Sequence, residues 1–146
     1  MTTMNDSYEM LKLDNQLCFP LYAVSREIVK KYKPYLDEIN LTYTQYITMM
    51  VLWEQNEIMV KDLGTKLFLD SGTLTPVLNA LEKKEFVTRK RSETDKRDVY
   101  AVITELGMAL RESAAEIPAK IGTCIPISLD DAMTLYRILH EMMDKF

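Results

Sequence analysis

Two cysteines and a set of tyrosines are the side chains in this sequence best placed to do chemistry. Cys18 stands two residues before Pro20. Proline costs little only in the first turn of a helix, where its missing N–H would have no partner anyway. A helix is therefore predicted to begin just before Pro20, with Cys18 at its N-terminus. A thiolate is stabilised there by the helix dipole and by hydrogen-bond donors. Tyr22, four residues on, falls on the same face one turn away. Tyr32 lies near that face too, but fourteen residues on it is about 21 Å further along a continuous helix. It cannot touch the Cys18 of its own chain, so a Tyr32–Cys18 contact requires a second copy. The competing role for Cys18 is that of a small buried hydrophobe, the commoner fate of an unpaired cysteine. Cys124 is far away in sequence. Two cysteines are too few for a secreted disulfide scaffold. One histidine, His140, makes a zinc site a poor expectation, and four isolated glycines do not form a phosphate-binding loop. No cofactor or metal is expected.

The elements that must position these groups follow from periodicity. Leu13, Leu17, Leu21, Val24, Ile28 and Tyr32 recur at helical spacing, and Pro34 is expected to mark an irregular helix end. The opening ten residues are polar and expected to fray. Thr42 and Gln45 form a capping-box pattern before a helix over 43–54, with Ile47, Met50 and Val51 facing inward. Val60, Leu63 and Leu67 give a short third helix, whose Gly64 permits close backbone approach. Asp70-Ser71-Gly72 is a turn and cap. With Gly72 as the cap, Pro76 falls on the fourth helical residue, where no N–H is needed. The helix then turns Leu74, Val77, Leu78 and Leu81 inward. Ser71, Thr73, Thr75, Pro76, Asn79 and Lys83 lie mostly on other faces, and small hydroxyls at a helix start suit phosphate and base-edge contacts in a major groove.

Strands are predicted over 86–91 and 99–103. The charged linker between them lacks glycine, so a projecting wing fits better than a tight hairpin. Arg97 near the tip is the natural minor-groove residue, with Asp95 close enough to orient it, and Arg89 and Lys96 add positive charge. Thr104 caps a helix carrying Leu106, Leu110, Ala114 and Ile117, kinked at Pro118, and Cys124 sits in the break between Gly122 and Pro126. Ser128 and Asp131 open the last helix. Its stripe of Leu129, Ala132, Leu135, Tyr136, Leu139, Met142 and Met143 is broader than one small core absorbs, which points to a dimer interface. Folding back of both terminal helices on their own chain is the alternative.

The fold class that results is mainly α with a small β-wing: a winged helix-turn-helix, dimeric through its N- and C-terminal helices. The 146 residues form a single domain. Residues 1–40 and 104–146 are assigned to dimerisation and 43–103 to DNA binding. The net charge of −4 does not advertise nucleic acid, but its distribution does. From Lys83 to Asp98 seven bases face four acids, which leaves the remainder of the chain at −7. Screening makes such a basic patch a local matter. No apolar run is long enough for a bilayer and no signal peptide opens the chain, so a soluble cytoplasmic protein without a membrane partner is expected.

These residues resemble the MarR family of winged-helix repressors, and within it the organic hydroperoxide sensor (OhrR) branch. The resemblance is carried by Leu13-Asp14-Asn15-Gln16-Leu17-Cys18-Phe19, by Tyr22, Tyr32 and Tyr43, by the run from Leu69 to Pro76, and by Asp95-Lys96-Arg97. Pro20 departs from the family pattern. The resemblance implies that Cys18 is a peroxide-reactive thiol bonded by tyrosines at positions 32 and 43. It implies a homodimer on a pseudo-palindromic double-stranded operator, with organic hydroperoxide as the signal. Some members use a second, late cysteine, and this implies an intersubunit Cys18–Cys124 disulfide. A regulator answering a small apolar or phenolic ligand, or a thiol-based global regulator, stays open as an alternative. A thiol peroxidase fits less well, since Arg26, the one arginine of the first helix, lies two turns from Cys18. The expectation is a regulator and not an enzyme.

Overall fold

The computed structural model describes residues 4–146. Its helices are α1 (Met4–Glu9), α2 (Cys18–Glu38), α3 (Tyr43–Gln55), α4 (Val60–Leu67), α5 (Ser71–Lys83), α6 (Glu105–Ala114), α7 (Ile117–Gly122) and α8 (Leu129–Met143). Three strands, β1 (Glu57–Met59), β2 (Val87–Arg91) and β3 (Val99–Ile103), form an antiparallel sheet in the order β1-β3-β2. Met4–Glu9 is helical where fraying was predicted, and residues 1–3 of that stretch lie outside the described residues. Among the described residues no helix is long and apolar enough to cross a membrane.

The core lies beneath the central helices. Met49, Leu52, Leu63, Leu74, Leu78, Leu81 and Val87 are withdrawn from water, and each such side chain contributes roughly 2 kcal/mol relative to exposure. The inward face expected for α5 is the observed one. Gly64 sits where α4 meets the turn into α5: a Cβ there would lie 2.9 Å from the Leu69 carbonyl oxygen, so only glycine lets the two helices close on the turn. Phe68 takes the left-handed conformation at that turn, with φ of 55°.

Four expectations are corrected. Pro34 does not end α2, which runs through it to Glu38. The helix beyond the proline buries Leu36 and carries Tyr35 against the core, and this packing offsets the lost bond, about 3 kcal/mol in an exposed helix. Met50 is exposed, and Met49 and Thr48 are buried instead. α3 is packed by α2 on one side and by α4, α5 and β3 on others, so its buried arc is wider than a surface helix would show. The cap of α5 is Asp70, not Gly72: its Oδ1 accepts from the Thr73 N–H at 2.8 Å. Pro76 is therefore inside the second turn, and the Gly72 carbonyl it leaves unpaired is on an exposed residue where water can serve it. Pro118 does not kink one helix. The chain leaves α6 at Ala114 and re-enters α7 at Ile117, with proline in the first turn, where it costs nothing.

β1 was not foreseen. Three residues are too few to show alternation, and the strand exists because Ile58 pairs with Ala101 on the free edge of β3. α8 has no buried residue, and of α2 only Leu36 is buried. The apolar faces of both helices are uncovered in the single chain.

Candidate DNA-reading surface and sulfur site

α5 presents Ser71, Thr73, Thr75, Pro76, Asn79 and Lys83 to solvent, opposite its buried stripe. The Asp70 cap fixes the start of that helix. The exposed hydroxyls of Ser71, Thr73 and Thr75 thus lie along the first turns of the helix, beside the Asp70 carboxylate that occupies the Thr73 N–H.

Arg89 is placed differently from its neighbours. Its Nε donates to Glu82 Oε1 at 2.8 Å and its Nη2 to Glu82 Oε2 at 3.0 Å, and Nη2 also donates to Asn79 Oδ1. The fork ties β2 to α5 and draws Asn79 into the same network. Accordingly the Glu82 carboxyl is held below the usual carboxylate range, first by the hydrogen bond from Arg89. In the wing, Arg97 Nη2 and Nε donate to the two Asp95 oxygens at 3.2 and 3.3 Å, and the Arg97 N–H donates to Asp95 Oδ1 at 3.0 Å. Asp95 thereby holds the arginine at the tip, as its spacing predicts, and the Arg97 side chain stays 90% exposed. Lys96 is exposed beside it, its carbonyl accepting from Arg91.

The sulfur residues fall into two groups. Cys18 is the first residue of α2 and is exposed. Tyr22, one turn on, has its hydroxyl engaged as acceptor from Arg26 Nη1 at 2.7 Å, with the guanidinium over its ring at 5.4 Å. Arg26 is thus occupied by Tyr22. Tyr32 stacks edge-on to Tyr43 with centroids 5.0 Å apart, and Tyr46 closes the cluster at 5.7 Å from Tyr32. Burial raises the Tyr32 hydroxyl to about 12, with Tyr43 and Tyr46 adding to the effect, and burial raises Tyr43 as well. Both keep their protons at neutral pH and stand as donors. Among the described residues neither hydroxyl has a hydrogen-bond partner; Tyr32 lies about 21 Å along α2 from its own Cys18, and Tyr43, on α3, is stacked on Tyr32 at that far position.

Cys124 follows α7 and faces the far end of α2, where Tyr35 Oη lies 3.9 Å from its Sγ. Both cysteines are unpaired in the single chain.

A family model described as "Transcriptional regulator SarA/Rot" matches residues 30–113, which run from the last part of α2 through the whole wing to the penultimate residue of α6. The chain belongs to the SarA/Rot family of transcriptional regulators. An "Organic hydroperoxide resistance transcriptional regulator" of Bacillus subtilis (strain 168) is 45% identical to this SarA/Rot-family chain over 141 residues, 97% of it and 96% of the relative. Among solved structures, reduced AbfR bound to DNA has a TM-score of 0.78 at 33% identity, covering 97% of this chain and 98% of that one; AbfR is a protein of Staphylococcus epidermidis. Disulfide-formed AbfR matches with a TM-score of 0.63 at 33% identity, covering 98% and 97%. The winged helix-turn-helix expected from the sequence is thus the fold, and the SarA/Rot-family chain superposes better on the reduced DNA-bound relative than on the disulfide form.

Two participants went unread in the sequence. Tyr35 follows Tyr32 by three residues, a same-face spacing that marks it as a neighbour of the phenol cluster. Lys84, one residue past α5, donates through Nζ to the Asn40 carbonyl and to Gln45 Oε1, both at 2.7 Å. Nothing in its local pattern distinguishes it from the other basic residues of the segment.

Proposed function

We propose that this regulator is a homodimeric repressor that organic hydroperoxides switch off through Cys18. One observation carries the reading: two proton-retaining tyrosine hydroxyls, Tyr32 and Tyr43, stand together without partners among the described residues, while the chain's own Cys18 lies about 21 Å from Tyr32 along α2. A second copy docked on the uncovered faces of α2 and α8 brings its Cys18 to them. Residues 1–40 and 104–146 serve this docking and residues 43–103 read DNA, in the cytoplasm.

In the reduced dimer each α5 enters a major groove, with half-sites about 34–36 Å apart or a multiple of that spacing. Ser71, Thr73, Thr75, Pro76, Asn79 and Lys83 meet the operator, Arg97 enters the flanking minor groove oriented by Asp95, and Lys96 meets the backbone. Arg89 acts from behind, by fixing Asn79 through the network it shares with Glu82. The Cys18 thiolate attacks the terminal oxygen of an organic hydroperoxide. The O–O bond breaks, the sulfur becomes a sulfenic acid, and the leaving alkoxide takes a proton to give the alcohol. Hydrogen bonds from Tyr32 and Tyr43 of the other subunit hold the thiolate, and Tyr22 borders it. The Cys124 thiol of the other subunit then displaces water from the sulfenic acid to form the disulfide, and the dimer releases its operator. A reducing cytoplasm resets it. The B. subtilis relative and the redox forms of AbfR support the reading, as does the better superposition on the DNA-bound form.

Cys18→Ser tests it. This variant binds a cognate operator fragment as tightly as the parent and stays bound on addition of cumene hydroperoxide, measured by fluorescence anisotropy. Release of the variant by peroxide overturns the sensor assignment.

A further inference from the structure

The end of α2 and the turn after α7 form a second polar cluster, on the opposite end of the sensing helix from Cys18. Cys124 Sγ donates to the Lys120 carbonyl at 3.4 Å. The Thr123 hydroxyl, 4.0 Å from the same sulfur, donates to that carbonyl at 2.7 Å, which commits its proton. The remaining donor is Tyr35, whose hydroxyl lies 3.9 Å from Sγ and has no other partner among the described residues. The Lys120 ammonium lies over the Tyr35 ring, 5.6 Å from its centroid, and is paired with Glu116 at 3.4 Å. Glu38 is the other charge near the phenol on α2.

We propose that Tyr35 is a positioning residue for the second sulfur: it holds Cys124 at the base of α2 and keeps a hydrogen bond from its hydroxyl to that sulfur, without giving up the proton, as the sulfur attacks. The inference rests on the proposed disulfide step. When Cys124 ionises, its bond to the Lys120 carbonyl is lost and that oxygen repels the negative sulfur. Tyr35 is then the group that keeps the thiolate in place. The Tyr35 hydroxyl is raised above its ordinary value, first by its hydrogen bond to Cys124, so the phenol remains the donor of the pair. The step balances: the Cys124 sulfur forms the S–S bond with the Cys18 sulfur and is oxidised, the S–O bond of the sulfenic acid breaks, and the leaving hydroxide takes the proton given up by the Cys124 thiol to become water. Tyr35 ends with its own proton.

The experiment separates the two chemical steps. Full-length Tyr35→Phe and Tyr35→Leu are mixed with cumene hydroperoxide. Sulfenic acid is trapped with dimedone at early times, and disulfide is followed on non-reducing gels. Tyr35→Phe keeps the ring under Lys120 and loses only the hydroxyl. It is expected to form sulfenic acid at the parental rate and to close the disulfide at least tenfold more slowly. Tyr35→Leu closes no faster than Tyr35→Phe, because the hydroxyl carries the effect. Parental closure in Tyr35→Phe overturns the proposal, as does a slowing confined to Tyr35→Leu, which would make the ring a packing element. Absence of any disulfide in the parent would instead strike the underlying function, so the two failures are distinguishable.

Discussion

The disulfide, where it forms, must join two subunits, and the geometry says by how much the alternative fails. Cys18 opens α2 and Tyr35 comes seventeen residues later in the same unbroken helix, about 25 Å along its axis. Cys124 is anchored to Tyr35 by a 3.9 Å contact. The reach of both side chains and that contact take back no more than about 13 Å. The two α-carbons of one chain therefore stay at least about 12 Å apart, against the limit of about 7 Å for a disulfide without backbone movement. Closing the bridge within a chain would require α2 to break in its middle. The test uses two single variants, Cys18→Ser and Cys124→Ser, mixed in equal amounts and exchanged into mixed dimers before peroxide is added. Random pairing puts about half the chains into dimers holding one complete cysteine pair across the interface. These run as covalent dimers on a non-reducing gel, while each variant alone gives none. A mixture that stays monomeric, alongside a parent whose oxidised monomer migrates faster, would show a bridge inside one chain and refute the reasoning.

Two further outcomes follow from the DNA-reading surface. Arg97→Ala is expected to weaken operator binding about tenfold and to lower the slope of log affinity against log salt by about one, since a cation seated in the minor groove also displaces a condensed counterion; anisotropy titrations at several salt concentrations check it, and an unchanged affinity and slope remove Arg97 from the DNA contacts. Glu82→Gln is expected to lower stability by about 1 kcal/mol at pH 7, a value set by a pair that is about a third exposed to water. The folded Glu82 carboxyl lies below its ordinary value, so its contribution is complete above the unfolded value of about 4.3 and is lost as pH falls through the folded one. Urea unfolding of parent and variant should differ at pH 7 and converge toward pH 3; a difference that persists in acid would mean that packing, not the ion pair, was lost.

What the sequence displays and what it hides divide along the range of the interactions. The caps at Thr42, Thr104 and Ser128 are local and were legible, as were the buried stripe of α5 and the Asp95–Arg97 pair, two residues apart. The path of α2 through Pro34 was not, because the proline's cost is local while the burial of Leu36 that offsets it depends on the rest of the fold. The same holds for Met50: α3 is surrounded, and a central helix lacks the single apolar face that periodicity detects. Tyr35 and Cys124 are 89 residues apart and meet only because α7 packs against the end of α2. The position of Cys18 at the start of α2 was readable because a helix start is set by residues next to it in sequence, whereas the surroundings of Cys124 are assembled from two remote segments.

That difference bears on how sulfur chemistry could reach DNA. α2 ends at Glu38, and the turn that follows, from Ile39 to Leu41, leads into α3 under the Thr42 cap. Lys84, at the end of α5, spans this corner by donating to Asn40 on one side and Gln45 on the other. Its ammonium is held below its ordinary value by burial, and its two short bonds join the two sides of the corner through one charged group. The C-terminal end of the reading helix is therefore fastened to the base of the helix that carries Cys18. A disulfide that tilts α2 cannot do so by bending freely at the 39–42 corner without breaking these bonds. The less costly response is for α5 and the wing, joined through Glu82, Arg89 and Asn79, to turn with it. On this argument a disulfide of the proposed kind would change the distance between the two α5 helices of a dimer because the corner is stiff.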